Sequence, residues 1–121
     1  MDIKARTETG TLIDREIQVC NQHDMAKRTL YYWAELYTGQ MQAGDDYRNL
    51  GKVVSINVLD FNYLDTSEFH STFHICEDRT GLILTDEFEI HSVELGKLRE
   101  QAAEVDKRLV RWMLFFIGTG F

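Results

Sequence analysis

A chain of 121 residues has room for one domain with a modest core. Its 20 acidic against 13 basic side chains leave a net charge of −7, which excludes a general polyanion binder, because non-specific nucleic-acid affinity comes mainly from Lys and Arg neutralising phosphates. Two cysteines, Cys20 and Cys76, are too few for a disulfide framework, and the most apolar run, "WMLFFIG", is too short to span a bilayer; with no leader-like N-terminus, a cytoplasmic protein without membrane association is expected.

Taken in chain order, "DIKART" and "TLIDREIQV" alternate about a Gly-containing turn and predict a β-hairpin. Helical spacing follows from Asp24 to Met41, with Ala26, Leu30, Trp33, Tyr37 and Met41 forming one apolar stripe. "AGDD" should stop that helix, with Gly44 as its left-handed cap. "KVVSINVLDF" is nearly all apolar and β-branched, as a strand buried on both faces would be. "EFHSTFHICE" and "EFEIHSVEL" predict two more strands, separated by the turn-like "DRTG". A last amphipathic helix is expected from about Lys97 to Phe116, with Leu98, Ala102, Val105, Leu109, Trp112 and Phe116 on one side. The order β-β-α-β-β-β-α predicts a single α/β (α+β) domain spanning 1–121, a mixed sheet with two main helices. The first helix should be a right-handed crossover if its flanking strands run parallel.

The hairpin register decides whether its charges form a group. A three-residue loop, Glu8-Thr9-Gly10, puts Gly10 where such loops favour a left-handed residue. Asp2 then faces Glu16 and Lys4 faces Asp14, so Asp2, Lys4, Asp14, Glu16 and Gln18 share one side, with Ile3, Ala5, Ile13 and Ile17 on the other. A two-residue Thr9-Gly10 loop would send Asp2 to the wrong face. Two carboxylates directly opposite each other normally destabilise a sheet, and Mg²⁺, which takes a few carboxylate oxygens and keeps waters for a substrate phosphate, removes the conflict. The plainer reading is a solvated strand face with a Lys4–Asp14 pair. Just downstream, Lys27 and Arg28 lie in the first turn of the helix, where with its free N–H groups they would make a phosphate-binding corner.

An Asp opening one strand followed by Glu-x-Gln on the next resembles the PD-(D/E)XK nuclease active site. The longer blocks "MAKRTLYYWAELYTGQMQAGDDY", "VVSINVLDF", "EIHSVELGK" and "RWMLFF" are more specific, and over most of its length the chain is similar to the PD-(D/E)XK nuclease family transposases, also called recombination-promoting nucleases. The resemblance implies a restriction-endonuclease-like fold and an Mg²⁺-dependent DNA endonuclease linked to transposition or recombination. Asp2 and Glu16 match the two acids of the motif, and Gln18 stands where the wider superfamily has Lys. In the implied mechanism Asp2, Glu16 and the Ile17 carbonyl hold Mg²⁺, which activates a water and stabilises charge on the scissile phosphate. Gln18 orients that water, and Lys27 and Arg28 grip the DNA backbone. Tyr31, Tyr32, Trp33 and Tyr37 are expected to be helix packing. Against the family core, the resemblance leads to the expectation that the N-terminal helix and first strand are missing before Asp2 and that the chain is truncated at both ends.

Two rival readings remain. His70, His74 and Cys76 fall on one predicted strand face and His91 on the next strand, a donor set that suits zinc, but their spacing matches no compact zinc motif and ordinary sheet residues are expected. "ELGKLRE" reads as a solvated helix face. The alternative function is a catalytically inactive transposase remnant with a structural or self-association role, forming a homodimer through the C-terminal apolar helix.

Overall fold

The computed structural model describes residues 2–6, 12–18, 24–101 and 111, and for the first two segments only the backbone. Five strands and two helices follow in the expected order: β1 (Asp2–Arg6), β2 (Leu12–Gln18), α1 (Met25–Thr38), β3 (Val53–Leu59), β4 (His70–Phe73), β5 (Phe88–Glu94) and α2 (Leu95–Gln101). A 3-10 turn at Tyr47–Asn49 precedes β3. The expected loop Glu8-Thr9-Gly10 lies outside the described residues, as does the predicted helix beyond Gln101 except for Arg111, which is helical and exposed.

The strands form one mixed sheet in the order β1-β2-β3-β5-β4. β1 pairs antiparallel with β2, β2 and β3 run parallel, β3 and β5 run parallel, and β4 closes the far edge antiparallel to β5. Every residue of β3 is buried, as its unbroken apolar run predicts. This is the α+β architecture expected, and it is consistent with a restriction-endonuclease-like domain.

The helix α1 lies against one face of the sheet. Trp33 donates from Nε1 to the Val53 carbonyl at 2.8 Å, and its ring stacks on Tyr37 and tilts against Phe88 at centroid distances of 4.7 and 4.8 Å. The buried positions are Met25 and Thr29, so the helix is rolled from the predicted stripe: Ala26 and Leu30 are exposed, and Tyr31 faces solvent too. The roll has a polar cause. Asn57, buried in the middle of β3, donates from Nδ2 to Thr29 Oγ1 at 2.8 Å, and satisfying that amide brings Thr29 rather than Leu30 down onto the sheet. Thr29→Val should therefore leave the Asn57 amide short of an acceptor and cost about 1–3 kcal/mol, read as a lower denaturation midpoint at unchanged slope.

Other element ends also differ from the predicted ones. α1 stops at Thr38, before "AGDD", with Gly39 as its C-cap in right-handed backbone. A Cβ at 39 would stand 2.9 Å from the Glu35 carbonyl oxygen, which explains a glycine there. The Gln40 side chain then clamps Gly51, donating to its carbonyl at 2.9 Å and accepting from its N–H at 2.7 Å, which pulls the chain back toward β3. Gly44 does adopt left-handed backbone, φ +89°, but in the following turn. β4 ends at Phe73, and Cys76 meets Ile83 in an isolated bridge across a turn. Glu77 organises that turn by accepting from the N–H groups of Arg79 and Thr80, with Gly81 at φ +74° completing it.

On the opposite face Leu98 of α2 packs against Val93 and Phe69. "ELGKLRE" is not simply a solvated face. Glu94 is 1% exposed and accepts from the N–H groups of Tyr63 and Leu64 at 2.6 and 3.0 Å and from Lys97 Nζ at 2.6 Å. Lys97 also donates to the Leu64 carbonyl, so this pair ties the loop after β3 to the end of β5.

Candidate active site

The backbone register supplies the frame. Asp2 pairs with Glu16 and Lys4 with Asp14, as the favoured hairpin requires. Glu16 pairs in turn with Asn57, and Asn57 with Ser92, so positions 2, 16, 57 and 92 form one row across four strands. Asp14 and Ser55 stand in the row two residues earlier, and Gln18 and Leu59 in the row two residues later. The two-residue pleat puts these rows on one face and Ile13, Arg15 and Ile17 on the other. The side chains of Asp2, Glu16, Ile17 and Gln18 lie outside the described residues, and their placement here is that of their backbone positions.

The same face carries α1. The Thr29–Asn57 hydrogen bond fixes the helix over the β3 residue that neighbours Glu16 in its row. Lys27, exposed, and Arg28, half-buried, lie in the first turn of that helix, over the sheet face shared by backbone positions 2, 14, 16 and 18. That turn contains no acidic residue, and Asp24 in front of it makes no side-chain cap. Its Oδ1 is buried without a hydrogen-bond partner among the described residues. The N–H groups of the first turn and two cations on one side of a sheet are chemistry for an anion.

Asn57 and the hydroxyls beside it were not singled out from sequence. Ser55 and Ser92 are 2% and 1% exposed, with Oγ atoms unpartnered among the described residues. The available signal was the two-residue spacing of Ser55 and Asn57 inside "KVVSINVLDF", which marks a polar stripe on one face of an otherwise apolar strand.

A second polar cluster occupies the other face, which β5 reaches through Glu89 and His91. Glu89 Oε2 lies 2.6 Å from His91 Nε2, and Oε1 lies 3.2 Å from His74 Nε2 and 3.1 Å from Lys52 Nζ. His91 Nδ1 is 2.8 Å from His70 Nε2, the two rings stacked at 5.0 Å. Burial pushes the Glu89 carboxyl pKa up, but hydrogen bonds from His91, Lys52 and His74 outweigh it and hold it at about 2. For His70, burial and the neighbouring His91 lower the pKa, with Glu89 opposing, which favours a neutral ring. The sequence-level donor set of His70, His74, Cys76 and His91 is thus broken up: three histidines join one network around Glu89, while exposed Cys76 pairs through its backbone with Ile83.

A family model described as PD-(D/E)XK nuclease family transposase matches residues 1–119. No curated protein and no solved structure matches the chain. No helix among the described residues is long and apolar enough to cross a membrane.

Proposed function

The chain belongs to the PD-(D/E)XK nuclease family transposases, and from that premise we propose that it is an Mg²⁺-dependent DNA endonuclease that hydrolyses phosphodiester bonds during transposition or recombination. The family supports a nuclease role and DNA as the substrate, and nucleases of this kind generally use a divalent metal. The observation that carries the reading to this chain is the register pairing of Asp2 with Glu16 in one row. Like charges at directly facing sheet positions are unfavourable without a cation between them. Two carboxylates with the Ile17 carbonyl are hard oxygen donors, the set that suits magnesium.

In this reading Asp2, Glu16 and the Ile17 carbonyl hold the ion. When bound, it supplies Lewis-acid stabilisation of the scissile phosphate and a more acidic water. Gln18, one pleat further along β2, orients the attacking water through its amide; being neutral, it adds no positive charge to the site. Lys27 and Arg28, with the N–H groups of their helical turn, bind and orient the phosphodiester from the α1 side. With a net charge of −7, affinity for DNA rests on this local corner and on the metal rather than on the protein's overall field.

Plasmid nicking with and without Mg²⁺ tests the activity: relaxed circles should accumulate only with the metal. Mg²⁺ should also raise the melting midpoint in the absence of DNA, since an ion that binds only the folded chain stabilises it by mass action. Melting curves that coincide with and without millimolar Mg²⁺, together with intact plasmid, would remove the metal-centred reading.

A further inference from the structure

The cluster on the face away from α1 has the composition of a metal site and is not used by the proposed nuclease chemistry. His74, Asp86 and Glu89 each present one ligand atom, and these atoms all lie within 4.8 Å of one another. They come from three places: the chain just past β4, the segment leading into β5, and β5 itself. His74 Nε2 and Glu89 Oε1 are already 3.2 Å apart, close to the roughly 3.4 Å edge of a tetrahedron with metal–ligand bonds of about 2.1 Å. His91 fixes the second oxygen of Glu89 at 2.6 Å, the kind of outside hydrogen bond that holds a ligating carboxylate in one orientation. His70 and Thr72 steady His91 in turn, at 2.8 and 3.3 Å from its Nδ1.

A cation already holds the position between the two acids. Lys52 Nζ lies 3.2 Å from Asp86 Oδ1 and 3.1 Å from Glu89 Oε1, with only a quarter of its side chain exposed. The site is therefore arranged for positive charge. The imidazole decides the kind of competitor: magnesium and calcium prefer oxygen alone, whereas zinc and its neighbours accept mixed nitrogen and oxygen donors.

We propose that His74, Asp86 and Glu89 form a three-ligand site for a zinc-class divalent transition metal, separate from the acidic row and in competition with the Lys52 ammonium. Zinc taking this position displaces one monovalent cation with a divalent one and leaves a fourth coordination place for water or a partner's side chain. Asp86, exposed on its segment, is the ligand free to close the remaining distance. The site does not depend on the nuclease reading.

The test is calorimetric titration of the full chain with zinc chloride after chelator treatment, with both cysteines, Cys20 and Cys76, replaced by serine so that thiols cannot bind. The titration is run in millimolar Mg²⁺, which keeps the all-oxygen acidic row occupied, and one zinc per chain is then expected at the nitrogen-containing site. His74→Ala and His74→Gln should each weaken binding at least about tenfold, given that even outer partners of metal ligands cost that much. Lys52→Met should tighten binding by removing the competing ammonium. Glu16→Ala should leave the affinity unchanged, which separates this site from the acidic row. Far-UV circular dichroism verifies that each variant is folded, and the two His74 variants serve as mutual checks. Absence of zinc binding, or binding lost in Glu16→Ala but retained in both His74 variants, would overturn the proposal.

Discussion

Replacing Glu16 by alanine is expected to slow Mg²⁺-dependent plasmid nicking by at least about a hundredfold while leaving the fold intact, because partners one step outside a metal site already cost 10–100-fold and Glu16 is proposed as a direct ligand. The register places Glu16 opposite Asp2 and beside buried Asn57, near the middle of its sheet row. Removing one of two facing acids also relieves like-charge repulsion, so the metal-free variant should melt no lower than the parent. The midpoint rise produced by Mg²⁺ should disappear with the activity. Gln18→Ala should retain metal-induced stabilisation but lose rate, since an amide that orients water contributes nothing to holding the ion. Nicking that survives Glu16→Ala would place the chemistry elsewhere, or in a contaminating nuclease. The two readouts separate the cases: a lost midpoint rise with surviving nicking indicates contamination.

The largest stability effect is expected at Lys97. Its ammonium stands 2.6 Å from a Glu94 carboxylate that is 1% exposed. Taking away one partner of a buried ion pair leaves an uncompensated charge, a change on the order of 3 kcal/mol. Lys97→Met should therefore lower the melting midpoint by roughly 10 °C for a domain of this size. Glu94 keeps the Tyr63 and Leu64 N–H groups, so the variant should remain folded. The double variant Glu94→Gln/Lys97→Met should recover part of the loss, because no charge is then stranded.

The same pair shapes the acid limb of stability. Burial raises the Glu94 pKa, but Lys97 and the two backbone donors outweigh it, and the net direction is below the ordinary carboxylate value. A carboxyl lowered in the folded state contributes stability above its unfolded pKa and loses it as pH falls through the folded value. In Lys97→Met that depression shrinks, so less stability is lost as pH falls through the carboxylate range, and the gap between parent and variant should narrow in acid. A variant within about 0.5 kcal/mol of the parent, the usual range for surface substitutions, would mean that the pair is solvated.

Much of the fold was legible because its signals are local. Alternation marked the hairpin and both later strands, and an unbroken β-branched run marked β3 as central. The hairpin register could be chosen because only one pairing separates polar from apolar positions, and Asp2 does pair with Glu16. Family kinship was likewise readable from "KRTLYYW … QMQAGDDY", and the family match spans residues 1–119. Periodicity states that a helix has an apolar side. It does not state which edge of that side a buried partner will draw in, and Asn57 drew in Thr29 from another element.

The clusters that matter for chemistry were the least legible part. Lys52, His74, Asp86 and Glu89 share no local pattern; they converge because β3 and β5 run parallel and β4 folds back beside β5. Glu94 and Lys97 look like any i,i+3 pair on a solvated helix until the loop after β3 covers them. By itself the sequence determined which segments become strands and helices, how the first hairpin pairs, and which family the chain belongs to, since each follows from neighbours along the chain. The tertiary structure alone decided which charges are buried and which side chains from distant segments meet, because burial and long-range contact are properties of the packed sheet rather than of any one segment.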